Sequence, residues 1–166
     1  MKNTFVKTIG GTALILLLVG GTQMFGNDQH SEKHHRTIQG AWRTMVTGVN
    51  CQTGDPLGPP FPSLLTFNKG GTMSEYGINP GSSPALRSPG HGVWQHELSW
   101  QDYSYAFTFY RYNSSGVFIG SQRVRSALEL GVSGDEFTTH AAVEILDANG
   151  NVITTFCAAA AGTRFE

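Results

Sequence analysis

From residue 38 onward the chain alternates apolar and polar side chains in short runs, the period-two signature of half-buried strands. The clearest run is YSYAFTFYRY. Tyr103, Tyr105, Phe107, Phe109 and Arg111 share one face, and Ser104, Ala106, Thr108, Tyr110 and Tyr112 share the other. The same reading places strands at about 38–48, 63–68, 71–77, 91–99, 102–112, 116–130, 135–146 and 151–165. Four of the connecting turns, FNKGG, YNSSG, GVSGD and LDANG, supply Gly, Asn or Asp where a hairpin needs positive φ, which implies antiparallel neighbours. The pattern breaks at residues 52–62 and 78–90. These stretches hold all seven prolines and read as long loops framing one end of the sheet.

Eight antiparallel strands joined mostly by short turns remove their exposed edges by closing, the first strand pairing with the last. The expected architecture is therefore all-β: a closed eight-stranded antiparallel up-and-down barrel over residues 38–166. A barrel of this strand number has room for packed side chains or for one small ligand. On the sixth strand Phe118, Gly120, Gln122, Val124, Ser126 and Leu128 point inward, with Arg123, Arg125 and Glu129 outside. On the eighth, Phe156, Ala158, Ala160, Gly162 and Arg164 form the inner face. Small residues facing aromatic ones fit a cavity, and they fit close packing as well, so hollow and filled interiors both stay open at this point.

Composition sharpens this picture at three places. Only 14% of residues are charged while 11% are aromatic and 21 residues are glycine, which favours strands and turns over long charged helices. The net charge of −1 offers no basic field for a phosphate backbone, so nucleic acid is not an expected partner. Lys2 and Lys7 precede the apolar run Thr12–Val19, which is too short for a permanent span, and residues 1–26 read as a signal peptide. Export places the mature chain outside the cytoplasm, secreted or periplasmic, with no membrane association after signal removal. Residues 27–37 form a polar linker. Its His30, His34 and His35 lack a carboxylate or cysteine pattern to complete a metal geometry, so no metal site is expected. The two cysteines, Cys51 and Cys157, lie far apart in sequence and read as one disulfide tying the first strand region to the last.

A G-x-W, Gly40-Ala41-Trp42, opens the first strand, and Arg164 closes the last. This pairing resembles the calycin superfamily of lipocalins and their relatives, in which a first-strand Trp packs across the closed end against an Arg of the final strand. The physical basis is general, since a guanidinium stacks on an indole face. The resemblance covers the architecture of residues 38–166. It departs from typical lipocalins in lacking a helix between strands and in having a proline-rich first loop. The eight-stranded count is also similar to the allene-oxide-cyclase-like and dirigent barrels, with no catalytic motif matched.

The leading functional expectation is a monomeric secreted lipocalin-like barrel that binds a small, mainly apolar molecule without a cofactor. Tyr103, Tyr105, Phe107, Phe109, Phe118 and Gln122 are its expected lining, and Trp42 and Arg164 are structural. Two alternatives accompany it. One is a cofactor-free isomerase or cyclase of allene-oxide-cyclase-like type, for which His91 at the mouth and Glu75 on a neighbouring strand are the candidate proton-transfer groups. The other is a structural exported domain with a filled barrel. Whether the protein is an enzyme stays open on the sequence. No G-x-S-x-G, HExxH, EF-hand loop or phosphate-binding glycine loop is present.

Overall fold

The computed structural model describes residues 36–78 and 82–165. The expected signal peptide, most of the polar linker and its three histidines lie outside the described residues. The eight strands are β1 Gly40–Val49, β2 Phe61–Phe67, β3 Thr72–Gly77, β4 Gly90–His96, β5 Asp102–Tyr112, β6 Phe118–Leu130, β7 Glu136–Leu146 and β8 Val152–Arg164. They form one closed antiparallel barrel in simple sequence order. Closure runs from the Trp42↔Arg164 pair to the Val49↔Cys157 pair, eight successive partners in register. Among the described residues there is no α-helix, only a 3-10 turn at Pro84–Leu86 inside the β3–β4 loop.

Burial follows the alternation that predicted the strands. On β5 the odd residues Tyr103, Tyr105, Phe107 and Phe109 are all buried, as are Leu65 and Phe67 on β2 and Phe137, Ala141 and Val143 on β7. The turns carry local chemistry that fixes their register. Asn113 Oδ1 accepts from the backbone of Ser115 and Val117, and Asp147 Oδ1 accepts from Asn149 and Asn151. Gly116 and Gly150 then occupy the left-handed region at φ 75° and 87°, where a side chain would strain the backbone.

Strand β2 begins at Phe61, two residues earlier than the alternation suggests, and so contains Pro62. The proline is tolerated because β3 starts to pair only at Ser63↔Gly77, so on that side no ladder bond is asked of residue 62. A second departure lies at the start of β6. The β5–β6 register shifts at Arg111/Tyr112, where Arg111 pairs with Gly120 but Tyr112 pairs with Phe118. Gly120 permits this, since a Cβ there would lie 2.0 Å from the Leu146 carbonyl oxygen.

One end of the barrel is sealed. Trp42 is wholly buried, its ring 4.8 Å from Phe137, and the Arg164 guanidinium stacks over the indole at 4.2 Å. Arg164 also donates to the carbonyls of Thr37, Gln39 and Gly134, drawing the segment before β1 and the β6–β7 turn across the end.

At the opposite end Cys51 and Cys157 form a disulfide, with Cα atoms 5.1 Å apart, that links the loop after β1 to β8. Asn50 shapes this loop. Its Oδ1 accepts from Gln52 and Thr53 and its carbonyl from Gly54, while Leu57 donates back to Gly48. The disulfide closes a loop of 106 residues, so removing it frees much denatured-state entropy. Cys51→Ser combined with Cys157→Ser is expected to lower the unfolding free energy by about 2–4 kcal/mol, read from urea denaturation. An unchanged midpoint would show that the β1–β8 ladder alone supplies the closure.

Candidate functional site

The half of the barrel away from Trp42 is hollow. It encloses a cavity of about 720 Å³ that opens between the β1–β2 and β3–β4 loops. Leu57 and Pro59 of the first loop and Ile78 and Leu86 of the second stand at its entrance. The interior has two sides. Strands β5–β8 supply an apolar wall in which Phe107, Phe109, Val143 and Phe156 line the cavity together with Ala158 and Ala160. The alanines of β8 leave space that larger side chains would occupy.

Strands β1–β3 supply a polar strip, and each of its groups already has a partner. Thr44 Oγ1 donates to the Ser63 carbonyl at 2.9 Å, and Ser63 Oγ donates to Glu75 Oε1 at 2.8 Å. Glu75 is 6% exposed and is held as an ion pair by Arg87, which reaches in from the β3–β4 loop. Arg87 also donates to the Gly77 carbonyl at 2.7 Å and to the Ser88 carbonyl at 3.2 Å, and its guanidinium lies 3.5 Å above the Phe109 ring. Two glycines make room for the carboxylate. A Cβ at Gly77 or at Gly90 would come within 2.9 Å of a Glu75 oxygen. Across the cavity the Tyr105 hydroxyl is hydrogen-bonded to Ser126 and Thr139; burial outweighs these bonds and pushes its pKa up, so the phenol stays neutral.

Among the residues expected to line a pocket, Tyr105, Phe107, Phe109 and Gln122 do so. Tyr103 is buried but lies beneath the cavity, its ring 5.9 Å from Trp94 and 5.0 Å from His96, so it belongs to the sealed end. Phe118 is corrected outright. It is 43% exposed on the outer face, packed edge-on against Tyr110, and Ile119 takes its place in the lining. The bulge before Gly120 is the cause, because one extra residue reverses the facing of everything beyond it.

The two candidate proton-transfer residues do not meet. His91 pairs with Ser74 and Thr108 on the outer face of β4, whereas Glu75 points inward opposite Gly90. Glu144 lies outside as well, bound by Arg123 and Arg125 at 3.1 Å each. Among the described residues no cluster of three or more His, Cys, Asp or Glu is placed to hold a metal ion.

Arg87 was not anticipated, because a single arginine in a proline-rich loop has no periodicity to reveal where it points. Thr44, Ser63 and Thr139 had a signal. They share inward parity with Trp42, Leu65 and Phe137 on their own strands.

The fold and the cavity together define a closed, hollow eight-stranded barrel with a disulfide beside its mouth. Comparison of the chain with protein-family models finds none that matches, and comparison with curated proteins finds no match either. The disulfide fits an extracellular location, and no helix among the described residues is long and apolar enough to cross a membrane.

Proposed function

We propose that this protein is an exported, lipocalin-like binding barrel that holds one small, mainly apolar molecule. The observation that carries the reading is the cavity of about 720 Å³, a volume usual for small-molecule sites, whose apolar wall combines aromatic rings with alanines. The polar strip supports the same view. Because Thr44, Ser63, Glu75 and Tyr105 are satisfied by one another and by their neighbours, an apolar guest strands none of them.

The isomerase reading has no comparable support. Both Glu75 oxygens are engaged by Arg87, and His91 faces away from the cavity. A filled structural barrel is disfavoured by the cavity itself. Export is supported by the disulfide together with the apolar run Thr12–Val19. The outer face carries Arg123, Arg125, Glu129, Glu136 and Glu144, the reverse of a lipid-facing barrel, which favours a partner in water.

Filling the space tests the reading with little risk to the fold. Ala158→Leu combined with Ala160→Leu places larger side chains against the aromatic wall. Binding of the neutral fluorophore N-phenyl-1-naphthylamine is expected to weaken by about tenfold or more, equivalent to 1.4 kcal/mol, while near-ultraviolet circular dichroism stays native. Equal affinity in the filled variant would place the fluorophore elsewhere and sink the proposal.

A further inference from the structure

Among the described residues three charged groups line the cavity: Glu75, Arg87 and Arg111. Glu75 and Arg87 neutralise each other. Arg111 is left over. It lies on the inward parity of β5 at the mouth end, half-buried, beside Arg87 through a backbone bridge, and it has no ion-pair or hydrogen-bonding partner among the described residues. Gln122, two places along β6 from Arg111's partner Gly120, also lines the cavity, and its carboxamide likewise has no partner among the described residues. The apolar wall ends at these two groups.

Resting on the binding reading above, we infer that the ligand is an amphipathic monoanion. Its carboxylate is held at the mouth by Arg111 and Gln122, and its apolar body lies inside against Phe107, Phe109 and Phe156. Three features set this chemistry. The lining carries one surplus positive charge, which one negative charge balances. A guanidinium offers a planar fork that matches a carboxylate, and the Gln122 amide adds a neutral donor beside it. The orientation follows from where the charges sit. Deeper in, the Arg87 donors are taken by Glu75, Gly77 and Ser88, so the neutralised pair offers no free donor to an anion. At the mouth the headgroup keeps contact with water and avoids the expense of burying a charge.

The test compares cis-parinaric acid with its methyl ester, which share one chain and fluorophore and differ in charge. The acid is expected to bind the native protein about tenfold or more tightly than the ester, as a charge-assisted hydrogen bond supplies. Arg111→Gln should bring the acid down to the affinity of the ester and leave the ester unchanged; Gln122→Leu should weaken the acid by a smaller factor. The native comparison needs no variant to fold. Equal binding of acid and ester, or an equal loss of both in Arg111→Gln, would overturn the carboxylate assignment while leaving an apolar binding site in place. Failure of both probes to bind the native barrel would overturn the binding reading and the headgroup site with it.

Discussion

Trp42→Ala is expected to lower the unfolding free energy by about 3–5 kcal/mol, the range for truncating a fully buried large aromatic. The indole is completely enclosed, donates from Nε1 to the Ile38 carbonyl at 2.8 Å, and contacts both the Phe137 ring and the Arg164 guanidinium. Its removal opens a void at the sealed end, leaves the Ile38 carbonyl without its donor and takes the π-face from a cation. Trp42→Phe keeps much of the packing and loses the hydrogen bond, so a smaller fall of about 1–2 kcal/mol is expected. Urea denaturation followed by tryptophan-independent far-ultraviolet circular dichroism measures both. Because the cavity occupies the other half of the barrel, the folded fraction of either variant should bind N-phenyl-1-naphthylamine as the native protein does. A loss below about 1 kcal/mol for Trp42→Ala would mean that the end relaxes onto Phe137 without needing the indole.

What was legible in the sequence followed from local periodicity. The strand count, the antiparallel order and the inward faces of β5 and β8 come from alternation and turn chemistry; β5 keeps its expected bounds, and the other strand ends lie within a few residues of theirs. The stacking of Arg164 on Trp42 was suggested by the calycin resemblance, and closure of the barrel brings the two residues together.

Three features escaped for physical reasons that alternation does not carry. Parity holds only until a bulge interrupts it. The bulge before Gly120 depends on a carbonyl from β7 approaching where no Cβ stands, a tertiary fact that exchanged Phe118 for Ile119. Cavity volume is a sum over eight strands, so Ala158 and Ala160 taken alone fit either a hollow or a filled interior. Arg87 comes from a loop. In the structure Glu75 shares the inner face of β3 with Met73 and Gly77, and the cation that pairs with it arrives from outside the strand pattern. The sequence therefore left Glu75 as a candidate proton-transfer group, without the loop arginine that pairs with it in the structure.

That pairing leads to the second large expected effect. Glu75→Ala should cost about 3–5 kcal/mol, because Arg87 remains in a largely buried position with no counter-charge and Ser63 loses its acceptor. Joint replacement, Glu75→Met with Arg87→Met, removes both charges and fills similar volume, and should recover most of that loss. The difference between the double variant and the sum of the single ones measures the coupling of the pair; a value below about 0.5 kcal/mol would mean that the two act independently. The loop supplies a separate readout. Arg87 joins residues 82–89 to the barrel interior through Glu75, the Gly77 carbonyl and the Phe109 ring. In Arg87→Met only the amides of this loop should exchange faster with deuterium, while those of β1 and β8 keep native protection. Faster exchange throughout the barrel would instead make the pair a support of the whole fold. If the loop alone loosens, the same ion pair that closes the polar strip also holds one side of the cavity entrance in place, and the stability of the interior and access to it share one contact.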